Sequence, residues 1–148
     1  MTEYSNKYLK YKTKYINLKV KLNQGNQIGS SDKKIKISIQ NPPKTPWLDW
    51  IESGIKKYEG RLNRGIFHNI NIKDTVTWFD KFSGKEVNTK ITDLRYYNDF
   101  GEAFEDLGGE LVPIKGADID TVEGLYSKYF SKEDINKYGV VAIGVEPI

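Results

Sequence analysis

From Lys34 onward the hydrophobic period switches between strand-like and helix-like without settling into a strand–helix–strand repeat. Lys34 to Gln40 alternates Ile35, Ile37 and Ile39 with polar residues, the pattern of a half-buried strand, and Asn41-Pro42-Pro43 ends it. Thr45 is placed to cap a helix with Pro46 at its first position. Trp47, Trp50 and Ile51 share a face of that helix, and Gly54 supplies its stop. Thr75 to Asp80 and Lys85 to Tyr97 read as two strands joined at Ser83-Gly84. Phe100 to Leu107 reads as a short helix ending at Gly108-Gly109. Asp120 with Glu123, and Ser131 with Asp134, mark two further helix starts. Val122, Leu125, Tyr126 and Tyr129 form the apolar stripe of the first, Gly139 terminates the second, and Val140 to Val145 is the last strand. Strands and helices mixed in this irregular order argue for an α+β fold and against a doubly wound sheet.

Charge divides the chain differently from hydrophobicity. The net charge of +3 hides six lysines against Glu3 in residues 1–31, a local +5. Residues 32–148 carry seventeen basic and nineteen acidic side chains, a local −2. The basic character therefore belongs to the leader, and only a local cluster could support nucleic-acid binding by the rest. Residues 23–33 read as a flexible linker, so the expected division is a leader and linker over 1–33 and a folded domain over 34–148. Tyr4, Tyr8, Tyr11, Tyr15, Leu18 and Leu22 are spaced alternately by four and three, which is a helical stripe among lysines. Two readings of that stripe stand: a basic amphipathic helix that docks on a protein partner or a membrane surface, or a loosely ordered leader. No apolar run approaches the length of a transmembrane segment, and the N-terminus has no secretory h-region, so a cytoplasmic protein is expected. Cysteine is absent and His68 is the one histidine, which leaves no thiol nucleophile and no expected metal site or cofactor.

The chemistry concentrates in Lys56-Lys57-Tyr58-Glu59-Gly60-Arg61-Leu62, directly after the helix stop. On strand parity Lys57, Glu59 and Arg61 point to one face. Such a cluster binds an anion or a polarised carbonyl, with the carboxylate orienting the cations. Arg61 has the planar fork suited to a phosphate or a base edge. Glu59 can fix Arg61, accept from a base amino group, or act as a general base if desolvation raises its pKa. The structural alternative is a salt-bridged pair that satisfies buried charge. Arg64 extends the polar run toward a phosphate or is simply a surface cation. Trp47, Trp50 and Trp78 either stack a base or fill the core. Glu110, after Gly108-Gly109, is a loop carboxylate that faces a cleft or is solvated.

Pro46-Trp47, a helix, and then Ser53-Gly54-x-Lys56-x-x-Glu59-Gly60-Arg61-Leu62 resemble the signature of the ASCH domain family, a relative of the PUA RNA-binding domains. The resemblance continues at Gly65, Asp74 to Trp78, Tyr96 to Phe100, and Lys137 to Ile148. It implies a small, mostly antiparallel PUA-like β-barrel with flanking helices and a cleft holding the Lys-x-x-Glu-x-Arg cluster. It implies RNA or a modified nucleoside as ligand, and it points to Lys56 where strand parity points to Lys57. Some bacterial members are amidohydrolases that deacetylate acetylcytidine with a Lys–Thr–Glu arrangement. Lys56 matches that lysine and Glu110 that glutamate, but the threonine position falls on Glu59, so the family's hydroxyl nucleophile is missing. The Lys-Tyr-rich leader resembles N-terminal segments of proteins from giant viruses that infect amoebae, which would place the protein in a host cytoplasm.

Overall fold

The computed structural model describes residues 32–148. The tyrosine stripe, the +5 leader and most of the linker lie outside the described residues. The elements run β1 (Lys34–Ser38), α1 (Trp47–Ser53), β2 (Tyr58–Leu62), β3 (Thr75–Phe79), β4 (Glu86–Tyr97), α2 (Phe100–Leu107), α3 (Ile119–Tyr126), α4 (Lys132–Tyr138) and β5 (Val140–Pro147), with short 3-10 turns at Gly65–His68 and Gly108–Glu110. The strands form one mixed sheet in the order β1-β3-β4-β5-β2, curled into a half-barrel with four helices beside it. This is the expected α+β class. β1 runs parallel to β3, and every other neighbouring pair is antiparallel. No helix among the described residues is long and apolar enough to cross a membrane.

Packing follows the patterns in the sequence. β5 is buried continuously from Val140 to Val145, because β4 and β2 flank it and both of its faces are covered. Trp78, Leu48, Ile51, Val76, Leu94 and Ile143 fill the centre of the core. The β4–β5 ladder shifts register between Ile91 and Asp93. Gly144 lies opposite that irregularity, where an added Cβ would stand 2.8 Å from the Asp93 Cβ, so the bulge requires a residue without a side chain there.

Two helix starts differ from the sequence expectation. The α1 cap is not Thr45: Asn41 Oδ1 accepts from the Leu48 and Asp49 amides at 3.1 and 3.2 Å, so the capping oxygen comes from beyond the two prolines. α3 starts from Asp118, whose carboxylate accepts from the Thr121 amide at 2.8 Å, and Asp120 falls inside its first turn. Ser131 caps α4 as expected. Gly54, at φ 82°, ends α1 with its amide on the Ile51 carbonyl. That stop swings the chain out of the helix and delivers Lys56 to the interior before β2 begins at Tyr58.

Candidate functional site

The stretch between α1 and β2 decides which lysine joins the cluster. Regular pairing with β5 begins at Tyr58; the Lys57 carbonyl still accepts from the Val145 amide at 2.9 Å, but the Lys57 amide turns away to the Glu110 carbonyl at 2.8 Å. Strand parity therefore does not extend back to Lys57, whose side chain lies exposed. Lys56 is 0% exposed. Its ammonium bonds the Leu111 carbonyl, lies 3.4 Å from Glu59 Oε1 and stands 5.0 Å from the Trp47 ring centroid. Burial pushes the Lys56 ammonium down to about 8, against the opposing pull of the Glu59 carboxylate.

Glu59 links the two cations. Its Oε2 accepts from Arg61 Nε and Nη2, each at 3.0 Å. Arg61 Nη2 also donates to the Ser38 carbonyl at 3.0 Å, and the guanidinium carbon sits 5.4 Å from the ring centroids of both Phe67 and Trp78. β1 and β2 are the two outer strands of the sheet, so the Arg61–Ser38 bond spans the open side of the half-barrel.

A cavity of about 340 Å³ opens at this seam. Glu59, Gly60 and Arg61 line it from β2, and Ser38 to Gln40 line it from the end of β1. Its walls are aromatic: Trp47, Tyr126, Tyr129, Phe130 and Phe82. Phe82 is 96% exposed on the β3–β4 turn, at the rim. Asp80 shapes that turn by accepting from the Phe82 and Ser83 amides and the Ser83 hydroxyl. Opposite, Phe100 stacks on Tyr126 with centroids 3.9 Å apart and planes at 8°, and Trp47 stacks on the same tyrosine at 6.1 Å. Trp47 Nε1 donates to the Tyr129 hydroxyl at 3.3 Å.

The sequence candidates thus separate. Glu59, Arg61 and Trp47 line the cavity, with Lys56 behind Glu59 and off the lining. Arg64 is exposed, paired with Asp134 at 3.3 Å and set over Tyr138; it lines a shallower neighbouring depression. Glu110 contributes its backbone carbonyl to Lys57, and its side chain is exposed away from the cavity lining. Trp78 is core, with its indole N–H on Thr89. His68 is exposed beside Asn63.

Sequence reasoning did not single out Tyr126, Tyr129, Phe130, Phe82 or Gly60 as site residues. Tyr126 belongs to the α3 stripe, where an aromatic reads as core. Gly60 carried the available signal, because a glycine inside a strand marks a close approach. A Cβ at Gly60 would stand 3.0 Å from a Phe100 ring carbon and 3.2 Å from the Tyr126 hydroxyl.

Among solved structures, the chain is similar to the crystal structure of the hypothetical protein PH0355, with 30% identity, a TM-score of 0.67, and coverage of 78% of this chain and 99% of that one. It is also similar to the solution structure of protein PF0455 from Pyrococcus furiosus, with 28% identity, a TM-score of 0.62, and coverage of 78% and 97%. No curated protein sequence matches the chain. The ASCH domain matches residues 44–148, a span that takes in the helix, the Lys-x-x-Glu-x-Arg strand and the closing strand, and the chain belongs to the ASCH domain family.

Proposed function

We propose that the protein binds RNA or a modified nucleoside in the seam cavity, with Glu59 and Arg61 contacting the ligand and Lys56 holding Glu59 in place. The observation that carries this reading is the position of the Glu59–Arg61 pair on the lining of an open, aromatic-walled cavity. A pair whose work was only to satisfy buried charge would have no need of that opening. The volume is in the range of small-ligand pockets. Arg61 commits Nε and Nη2 within the protein, and its remaining donors suit a base edge or a phosphate. The aromatic walls suit a planar ring.

Nucleoside deacetylation is the second reading, and the lowered Lys56 pKa favours it, since a neutral amine can activate a nucleophile. Against it, Lys56 does not line the cavity, Glu59 stands where the family's hydroxyl would be, and Glu110 lies outside the lining.

The test is a binding screen of the purified chain against nucleosides and short RNAs at two salt concentrations, run beside Arg61→Ala. Binding that falls at least tenfold in Arg61→Ala supports the reading, and steep salt dependence identifies phosphate contacts. Incubation with acetylcytidine runs in parallel, and robust deacetylation by the natural sequence would replace binding with catalysis.

A further inference from the structure

Among the described residues, the Tyr126 hydroxyl is the buried side-chain polar atom left without a hydrogen-bond partner. A hydroxyl withdrawn from water with nothing to bond is unfavourable, so its persistence calls for an account. The fold fixes it firmly. The ring lies in a parallel stack on Phe100 at 3.9 Å and is flanked by Trp47 at 6.1 Å and 26°, contacts that hold the hydroxyl where it is. In β2 it packs against Gly60, whose missing Cβ leaves room for the hydroxyl in the wall of the cavity that Tyr126 and Gly60 both line. Burial, with the Glu59 carboxylate nearby, pushes the Tyr126 phenol well above its usual range, so it remains an O–H donor at any physiological pH.

The backbone of β2 adds to this. The Asn63 amide bonds the Gly139 carbonyl at one end of β2 and the Val145 amide bonds the Lys57 carbonyl at the other, and both give the β2–β5 pair the same hydrogen-bonding parity. Antiparallel alternation then turns the amides of Glu59 and Arg61 toward β5, and the N–H and C=O of Gly60 toward the free edge of β2. The wall of the cavity at this point therefore holds the buried Tyr126 O–H as donor, the Glu59 carboxylate as acceptor, and the Gly60 peptide groups as both.

We infer that Tyr126 is a ligand-recognition residue of the seam cavity, and that its O–H donates to a carbonyl oxygen or ring nitrogen of a planar heterocycle whose adjacent N–H is accepted by Glu59. The ligand class is a ring with an amide or amidine edge, as nucleobases have. This deepens the binding function proposed above and rests on it.

The test uses the full chain and Tyr126→Phe, titrated calorimetrically with cytidine, uridine, adenosine, guanosine and purine riboside. Tyr126→Phe removes only the unpartnered oxygen. The expected result is binding of at least one nucleoside by wild type, weakened fivefold or more in Tyr126→Phe, with a Tm equal to or above wild type. Adenosine should bind tighter than purine riboside, which lacks the amino donor. Weakening of less than fivefold removes Tyr126 from recognition and leaves the cavity reading standing. A Tm lowered by more than about 2 °C shows that the hydroxyl has a structural partner, and it overturns the inference in the same way. Equal binding of adenosine and purine riboside overturns the Glu59 half. Failure of wild type to bind any of the five removes both this inference and the function on which it rests.

Discussion

Strand β2 supplies two charged clusters, one from each face, and they are built to opposite rules. Tyr58 points to the face opposite Glu59 and Arg61 and donates to Asp93 Oδ2 at 2.7 Å. Arg95 Nε meets the same oxygen at 2.9 Å and reaches Asp106 at 3.3 Å, and Tyr97 donates to Asp106 at 2.6 Å. Each tyrosine hydroxyl in that chain of contacts has a carboxylate, and each carboxylate has a cation. Burial and the Asp93 bond push the Tyr58 phenol up, which keeps it a donor. The seam cluster has the same residue types, yet it leaves the Tyr126 hydroxyl unpartnered and borders an open cavity. A closed network specifies a fold. Residue composition alone does not separate the two clusters; what separates them is whether the polar groups have been used up.

The contrast can be broken most forcefully at the two carboxylates. Glu59→Ala leaves the fully buried Lys56 without its counter-charge, and the expected loss is about 3–5 kcal/mol in denaturant unfolding. Asp93→Ala orphans the Tyr58 hydroxyl beside a half-exposed Arg95, and the expected loss is about 1–3 kcal/mol. Equal losses would mean that the seam cluster is no more buried in its energetics than the other.

Proton linkage gives the next largest effect. The folded pKa of Lys56 is about 8, against an unfolded value of 10.5. Between those values the unfolded chain binds a proton that the folded chain does not, so stability rises with pH across the window. The penalty is full below about pH 8 and is relieved by about pH 10.5. Relative to Lys56→Met, wild type should gain on the order of 3 kcal/mol over that range. A parallel pair of stability curves would show that the ammonium is not desolvated.

Smaller still is the contrast between two hydroxyl deletions. Tyr58→Phe should cost about 1 kcal/mol, the ordinary worth of a partnered hydrogen bond, whereas Tyr126→Phe should cost nothing. Matching losses would erase the distinction between the closed network and the seam. The smallest effect is expected from removal of residues 1–31. The Lys33 carbonyl accepts from the Thr75 amide and its own amide bonds Asp74, so a chain beginning at Asp32 retains every described contact of β1 and should melt close to the full chain. A chain beginning at Lys44 loses β1 and the Ser38 acceptor of Arg61, and should melt clearly lower.

The strands and helices were legible because their periods and stops are local. Ile35 and Ile37 alternate, Gly54 and Gly139 adopt positive φ, and Ser131 sits at its helix start. The caps that escaped reading are those supplied from a distance or from a competing neighbour: Asn41 reaches across two prolines, and Asp118 precedes Asp120 by two residues. Parity placed Lys57 in the cluster because sequence does not show that the Lys57 amide is drawn to Glu110, which delays the strand by one residue. The cavity itself was illegible for a topological reason. Its walls come from β1, α1, β2, the β3–β4 turn and the end of α3, segments that no short window of sequence brings together. Glu59 and Arg61 were visible as chemistry, but their surroundings were not.

The Arg61–Ser38 bond has one more consequence. Where the sheet's two outer strands face each other, the described contact is a side chain gripping a carbonyl, with no ladder between them. A ladder ties the spacing of two strands to a fixed period, whereas an arginine sets it by reach and rotamer. The width of the mouth is thus uncoupled from the pairing that holds the barrel together. Under the binding function proposed above, substitutions around Ser38 and Gln40 would retune what enters while the hydrogen-bonded sheet stays as it is, so ligand choice would be free to drift faster than architecture.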